Sequence, residues 1–169
     1  AAGLAGLPDV RGRAVVELGA GPGLPGLVCG RLGASEVALT DRAELVPLMA
    51  RNVALNGLEA TCRSEALDWD QASESPLAAA RRSEAGLPPL GVLLAADVVY
   101  FEEQDPLVDA LLALMAPRET TLVLAYRERT GADRSYLEQT ILPKLDYSRL
   151  DFGSPDRGHC EIYVGRLVR

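Results

Sequence analysis

The sequence has 169 residues and a formal net charge of −7; hydrophobic residues make up 48% of it and charged residues 24%. This length and balance are typical of one globular domain with a sizeable core, and they exclude a disordered or fibrous chain. The negative charge argues against a general nucleic-acid binder, which needs a basic surface to displace counterions from phosphates.

No apolar run approaches the roughly 20 residues that span a bilayer, and the N-terminus lacks the basic-then-apolar order of a signal peptide. We therefore expect a cytoplasmic protein with no membrane partner. The three cysteines, Cys29, Cys62 and Cys160, lie far apart and form no C-x-x-C pair. This pattern predicts free thiols that behave as small buried hydrophobes, with no disulfide and no metal site.

Residues 1–13 are small and glycine-rich, and the sequence opens on an alanine. We interpret residues 1–13 as the remnant or linker of a longer parent chain. A single domain is expected over residues 14–169.

The first predicted strand leads into a glycine-rich turn. An apolar run from Ala14 to Val16 meets Glu17. The turn after it contains four glycines: Gly19, Gly21, Gly23 and Gly26. Glycine is needed where the backbone takes a positive φ or approaches a ligand closely, and the next helix directs free N–H groups towards such a ligand. The pattern predicts a strand, a tight turn and a helix start that hold an adenosine-containing cofactor.

A helix and a second strand follow the turn. Leu24, Leu27, Val28 and Leu32 recur at helical spacing, so we expect this face to pack on a sheet and Gly33 to end the helix. The second strand, Glu36 to Thr40, closes at Asp41, where the acidic residue of a nucleotide-binding unit accepts hydrogen bonds from ribose hydroxyls. The alternative role for Asp41 is to cap the next helix.

That next helix is expected from Glu44 or Pro47 through Asn56, and a third strand from Thr61 to Ala66. Asp68 and Trp69 follow the third strand. Because the carboxyl ends of parallel strands share one edge, both residues should lie near the glycine turn. Asp68 could accept from an adenine amino group while Trp69 covers the ring face; the alternative is a surface aspartate beside a core tryptophan.

A fourth strand, Gly91 to Ala96, is apolar throughout, as in a strand buried on both faces. It ends at Asp97 and Tyr100, which are three residues apart and can face one pocket at the same edge. The alternative is a capping aspartate and a half-buried tyrosine. Before this strand, Ser75 and Pro76 are expected to begin a short helix that Gly86 ends.

The remainder continues the alternation, with a helix from Asp105, a strand from Thr120 to Ala125 and a helix from Ser135 to Leu142. Two final strands, Tyr147 to Phe152 and Glu161 to Val168, form a hairpin, so the last strand should run antiparallel. The sequence predicts an α/β fold: a Rossmann-like, doubly wound sheet of seven strands, mostly parallel, with an antiparallel C-terminal hairpin strand. The charged residues 126–130 are expected to flank a loop at the ligand-bearing edge, with no role assigned to them.

The glycines alone leave the cofactor open, because residues 21–26 also satisfy the dinucleotide pattern G-x-G-x-x-G. Glu17, the extra Gly19 and the terminal hairpin weigh against a nicotinamide cofactor. A nicotinamide-dependent oxidoreductase is one alternative function. A non-catalytic binding module with the same fold is another.

Residues 17–23, Glu-Leu-Gly-Ala-Gly-Pro-Gly, resemble motif I of the seven-strand S-adenosylmethionine-dependent methyltransferases. The likeness to methyltransferase family 16 rests on further segments in the same order: residues 10–21, Leu39-Thr-Asp41, Leu67-Asp-Trp69, Ala96-Asp-Val-Val-Tyr100 and Glu161-Ile-Tyr163. Small members of that family methylate lysines of proteins such as the Hsp70 chaperones and valosin-containing protein. The resemblance implies a protein-lysine methyltransferase that uses S-adenosylmethionine and whose partner is a protein bearing the target lysine.

The resemblance also implies a set of site residues. Around the methionine part and ribose of the cofactor it places Glu17, Gly19, Ala20, Gly21 and Gly23. It places Asp41 on the ribose hydroxyls, Asp68 and Trp69 at the adenine, and Ala96 beside the cofactor. Asp97 and Tyr100 match the D-x-x-Y motif that borders the acceptor amine, and they are the candidate catalytic residues. The family has a tryptophan-containing segment before motif I, whereas the only tryptophan here is Trp69, so we expect a truncated form.

Overall fold

The computed structural model of the chain describes residues 6–82, 90–100, 105–115, 119–150 and 160–168, with backbone alone for residues 80–82. Its strands are β1 Ala14–Leu18, β2 Glu36–Asp41, β3 Cys62–Ala66, β4 Leu90–Ala96, β5 Thr121–Arg127, β6 Leu145–Leu150 and β7 Cys160–Leu167. They form one sheet in the order β3-β2-β1-β4-β5-β7-β6. The first five strands run parallel, and β7 lies antiparallel between β5 and β6. The predicted fold class is confirmed, including the antiparallel last strand.

The helices are α1 Leu24–Arg31, α2 Val46–Leu55, α3 Pro76–Arg82, α4 Asp105–Leu114 and α5 Gly131–Tyr136. Short 3-10 turns occupy Ala43–Leu45, Trp69–Glu74 and Leu142–Lys144, and a π-type turn occupies Leu137–Ile141. The last helix begins four residues before the predicted Ser135, because Thr130 and Asp133 form a capping box at its start. Ser75 caps α3 as expected, since its Oγ accepts from the N–H of Ala78 at 3.1 Å. The predicted helix stop at Gly86 lies outside the described residues.

Two apolar cores cover the two faces of the sheet. Between the sheet and the pair α1 and α2 lies one cluster that includes Leu27, Leu39 and Met49. The opposite face packs against α3, α4 and α5 through a larger cluster. The two cores extend to the carboxyl ends of the strands through Leu18, Ala20 and Val98, and the candidate site lies at this edge.

The packing face of α1 differs from the prediction. Leu27 is buried, but Leu24, Val28 and Leu32 are 65%, 47% and 58% exposed. The face turned to the sheet carries Gly26, where a Cβ would lie 2.7 Å from Oε2 of Glu17 and would also meet Leu39. Glycine lets the helix approach the strands so closely that its larger residues are left on the outer side.

The described part of the N-terminal segment contacts the domain. Val10 is 7% exposed and belongs to the core under α1. The N–H of Gly12 donates to the carbonyl of Gly33 at 2.8 Å. The boundary expected at residue 14 stays a prediction, but residues 6–13 pack on the sheet domain and do not hang free of it.

The cysteine prediction holds for two of the three residues. Cys29 and Cys62 are buried free thiols. Cys160 is also free but exposed, so its predicted burial is wrong: it is the first residue of β7 and lies opposite the exposed Arg127 at the end of β5.

No helix in the ranges that the structure describes is long and apolar enough to cross a membrane. Nor do those ranges bring three metal-binding side chains of His, Cys, Asp or Glu together.

Candidate active site

Strand register brings the predicted site residues to one edge of the sheet. Leu18 at the end of β1 lies opposite Thr40 of β2 and Ala95 of β4. Ala96 of β4 in turn lies opposite Ala125 of β5. The residues that follow β1, β2 and β4 therefore emerge side by side at the carboxyl edge, where α/β folds bind ligands.

The first two glycines of the turn serve different purposes. Gly19 and Gly21 both have positive φ, 65° and 53°. A Cβ on Gly19 would lie 2.8 Å from Cγ1 of Val98 and 3.1 Å from Cζ2 of Trp69, so packing excludes a side chain there. A Cβ on Gly21 would have no neighbour within 4 Å. Gly21 thus borders open space at the strand ends, and a group bound there could lie directly against the backbone.

Asp41 anchors this turn. Its Oδ2 accepts a hydrogen bond from the N–H of Gly21 at 2.7 Å, and its Oδ1 accepts from the N–H of Arg42 at 2.8 Å. The alternative capping role is not observed, because the 3-10 turn that follows has Arg42 at its cap position and no side-chain cap bond. The ribose role of Asp41 stays a prediction, and the carboxylate lies beside the open space at Gly21.

Glu17 lies within β1 and is 1% exposed. Its Oε2 accepts from the N–H of Gly26 in the first turn of α1 at 2.9 Å. Burial raises the pKa of this carboxyl to about 7, against the lowering effect of the Gly26 hydrogen bond and with a smaller contribution from the charge of Asp41. Glu17 therefore ties the strand to the helix that follows the turn.

Asp68 and Trp69 occupy the same edge after β3. The N–H of Leu67 donates to the carbonyl of Asp41 at 2.8 Å and holds this segment beside the end of β2. Asp68 is exposed and caps the 3-10 turn, accepting from the N–H of Asp70 at 3.3 Å. Trp69 is partly buried and packs on the core shared with α4. An exposed aspartate beside a tryptophan that packs on the core is the alternative arrangement, and the adenine roles stay predictions.

Asp97 follows Ala96 with an unusual backbone. Its φ is 62°, and among the described residues it is the only one other than glycine with a positive φ. Its N–H donates to the carbonyl of Ala125 at 2.9 Å, which pins the residue at the end of β5. Non-glycine residues rarely adopt this conformation, and such strain is typical of functional positions. Tyr100, three residues on, is 41% exposed at the same edge.

A residue with no role assigned from the sequence joins this pair. Nη2 of Arg129 lies 2.6 Å from Oδ2 of Asp97, and its guanidinium carbon lies 5.6 Å from the centre of the Tyr100 ring. Arg129 follows β5, and the expectation that residues 126–130 lie at the ligand-bearing edge was the signal that could have indicated it.

The segment Glu161-Ile-Tyr163 proves to be part of an ion-pair network. Nη2 of Arg134 lies 2.6 Å from Oε1 of Glu161, and Nη1 donates to the hydroxyl of Tyr163 at 3.4 Å. The same guanidinium lies 4.8 Å from the centre of the Tyr126 ring. The hydrogen bond from Arg134 holds the pKa of Glu161 down at about 2. This network fastens α5 to β5 and β7 beside the site.

Comparisons with known proteins show which family the chain resembles in sequence. The sequence model of a family described as lysine methyltransferase matches residues 5–141. The chain is 29% identical over 161 residues to protein-lysine N-methyltransferase EFM6 of Saccharomyces cerevisiae, which covers 86% of this chain and 64% of the yeast protein. It is 31% identical over 170 residues to protein N-lysine methyltransferase METTL21A of Danio rerio, which covers 97% of this chain and 70% of the fish protein. The chain thus spans about two thirds of the length of these relatives, and slightly less for the yeast protein.

A solved structure confirms the fold alone. A putative RNA methyltransferase, PH1948 from Pyrococcus horikoshii, superposes with a TM-score of 0.62 at 16% identity, covering 95% of this chain and 78% of that one. None of these likenesses favours the nicotinamide-dependent alternative.

Proposed function

Because the chain belongs to the lysine methyltransferase family, we propose that it transfers a methyl group from S-adenosylmethionine to a lysine side chain of a protein. The observation that carries the proposal is the convergence of the glycine turn, Asp41 and the pair Asp97 and Tyr100 at one sheet edge. The family membership confirms the relationship predicted from the sequence motifs.

The residues present fit this cofactor. At Gly21 the backbone borders open space that a side chain would project into, and Asp41 provides a carboxylate beside it. Gly19, Ala20 and Gly23 complete the turn, and Asp68, Trp69 and Ala96 lie along the same edge. When bound, S-adenosylmethionine supplies a methyl group on a sulfonium centre. The chain's own contribution is to bind and orient the two reactants.

The acceptor must be presented as a neutral amine. A lysine has a reference pKa near 10.4, so forming the free amine at pH 7.4 costs about 4 kcal/mol. Asp97 and Tyr100 offer a carboxylate and a phenol that can orient such an amine, and its proton leaves to solvent. A cationic cofactor close to the amine favours this proton loss.

The test uses cofactor with a radioactive methyl group, incubated with the chain and a cell extract. We expect label in one or few proteins and its recovery as methyl-lysine after acid hydrolysis. The same extract with labelled cofactor and without the chain is the negative control. Labelled lysine that is absent with the wild type, or no greater than in this control, would overturn the proposal and would favour a non-catalytic module with this fold.

We further propose that the chain acts in the cytoplasm, since it carries buried free thiols at Cys29 and Cys62. Fractionation of cells that express the tagged chain tests this proposal. Recovery in a secreted or membrane fraction would contradict it.

A further inference from the structure

We infer that Arg129 is a positioning residue for methyl transfer: it pairs with Asp97 so that the acceptor lysine meets a balanced ion pair in place of a bare carboxylate. The inference rests on the proposed function and adds to it a residue outside the D-x-x-Y motif. It gives a function to one residue of the charged segment 126–130, for which the sequence suggested none.

The contact is direct and specific. Asp97 and Arg129 are 32 residues apart in the sequence, yet Nη2 of Arg129 donates to Oδ2 of Asp97 at 2.6 Å. The guanidinium also lies within cation–π range of Tyr100, at 5.6 Å from its ring centre. Asp97 and Tyr100, which are proposed to border the acceptor amine, therefore both contact the guanidinium of Arg129.

Buried Asp133 holds the backbone of Arg129. Its N–H donates to Oδ2 of Asp133 at 3.0 Å. Asp133 is fully buried, and its Oδ1 accepts from the hydroxyl of Tyr126 at 2.9 Å. The capping box with Thr130 holds the same carboxylate. A chain of hydrogen bonds thus runs from the core through Asp133 to Arg129 and on to Asp97.

Three groups act most strongly on the pKa of Arg129. Asp97 raises it by a hydrogen bond and by its charge, and the charges of Asp133 and Tyr100 raise it as well. Of these, Asp133 is turned to the capping box and Tyr126, so it belongs to the anchor. Glu102 and Glu103, which follow Tyr100, lie outside the described residues.

The chemistry explains why a paired carboxylate suits the reaction. A lone carboxylate within about 4–6 Å of an amine stabilises the ammonium form by roughly 1–3 pK units. The ammonium has no lone pair and cannot attack a methyl group. With Arg129 beside it, Asp97 keeps an oxygen that can accept from the amine, while the net charge that would retain the proton is cancelled.

The experiment compares the pH dependence of kcat in the wild type, Arg129→Gln, Arg129→Lys and Arg127→Gln. The protein that the wild type labels in cell extract is purified and used at saturating concentration, because kcat reports ionisations in the bound complex. Arg127→Gln is the matched control, since it removes the same charge from an exposed side chain two residues earlier in the segment.

We expect the kcat profile of Arg129→Gln to move to higher pH by about one unit, so that kcat at pH 7 falls about tenfold and recovers at pH 9–10. KM should stay level or fall, because an unpaired Asp97 attracts the ammonium. Arg129→Lys should restore the wild-type position of the profile, and Arg127→Gln should match the wild type.

A profile of Arg129→Gln that is lowered equally at every pH, or that coincides with the wild type, overturns the inference and leaves the proposed function standing. A wild type that labels no protein overturns the proposed function, and the inference with it. Calorimetric affinities for S-adenosylhomocysteine that agree between wild type and variant exclude an effect through the cofactor.

Discussion

Glu17 and Gly26 are joined across the glycine turn by a hydrogen bond of 2.9 Å, from the backbone N–H of the helix to the carboxyl of the strand. The carboxyl is 1% exposed, and its pKa is raised to about 7 from an ordinary value of 4.5. A buried acid of this kind makes the stability of the fold depend on pH.

The first prediction concerns Glu17→Gln. Between about pH 4.5 and pH 7 the unfolded chain releases the Glu17 proton while the folded chain retains it, so the free energy of unfolding falls as pH rises. The pKa difference corresponds to about 3 kcal/mol at pH 8. The glutamine carbonyl can still accept from Gly26, so we expect the variant to lose this dependence and to exceed the wild type in stability at pH 8. Urea unfolding at pH 5 and pH 8 measures the change.

Glu59→Gln is the control for this test, because Glu59 is exposed. It should show the same pH dependence as the wild type. If Glu17→Gln does so too, the Glu17 carboxyl ionises equally in the folded and unfolded chains, contrary to our expectation.

The second prediction compares Gly21→Ala with Gly57→Ala. Both glycines have positive φ, 53° and 60°, and at both a Cβ would meet nothing within 4 Å. Each alanine should therefore cost about 1 kcal/mol of stability through the backbone alone. Only Gly21 lies at the candidate cofactor site, so only Gly21→Ala should weaken binding of S-adenosylhomocysteine, by about tenfold or more. Calorimetric titration that found equal affinities would remove Gly21 from the site.

The third prediction concerns Glu161→Gln. The side chains of Glu161 and Arg134 are 16% and 20% exposed, and loss of the carboxylate leaves the guanidinium without its closest partner. We expect a loss of about 2 kcal/mol at pH 7. The pKa of Glu161 is lowered to about 2, so its stabilising contribution is present above about pH 4.5 and disappears as pH falls towards 2.

Thermal melting at pH 7 and pH 2.5 tests this prediction. The difference in melting temperature between wild type and variant should become small at the lower pH. Glu44→Gln breaks an ion pair with Arg42 whose side chains are 59% and 74% exposed, and it should change little. Equal effects of the two substitutions would argue against a special role for the Arg134 network.

The fourth prediction separates backbone from chemistry at Asp97. Asparagine tolerates the left-handed conformation, so Asp97→Asn should fold nearly as well as the wild type, whereas Asp97→Ala should cost about 1 kcal/mol more. Methylation should fall by about a hundredfold in Asp97→Ala and less in Asp97→Asn, whose amide oxygen still accepts from an amine. Stopped assays with labelled cofactor and melting curves measure the two effects, and full activity in Asp97→Ala would exclude this residue from the acceptor site.

The common edge of Gly21, Asp41 and Asp97 was predictable from the sequence. Turn chemistry is local, and a parallel sheet brings every strand end of one direction to one side. The place of residues 126–130 at this edge was predictable as well, but the contact of Arg129 with Asp97 was not, because the direction of a long, flexible side chain depends on the tertiary packing around it. Hydrophobic periodicity in the sequence does not indicate such a side-chain contact.

The prediction for α1 failed for another physical reason. Leucine and valine at helical spacing normally mark the buried face, yet Gly26 here makes the close approach, and a Cβ on Gly30 would lie 2.7 Å from Sγ of Cys62. A hydrophobic pattern reports which side chains prefer burial. It does not report that a helix can approach a sheet through residues that have no side chain.

The position of β7 in the sheet determines the order in which the last strands can pair during synthesis. β6 is made before β7 but lies at the sheet margin, with β7 between it and β5. During synthesis on the ribosome, residues 145–150 therefore have no hydrogen-bonding neighbour at first. They can pair only after residues 160–167 have emerged and inserted beside β5. A nascent chain arrested between these two segments should expose apolar surface and recruit chaperones, and release of the later segment should close the sheet in a single late step.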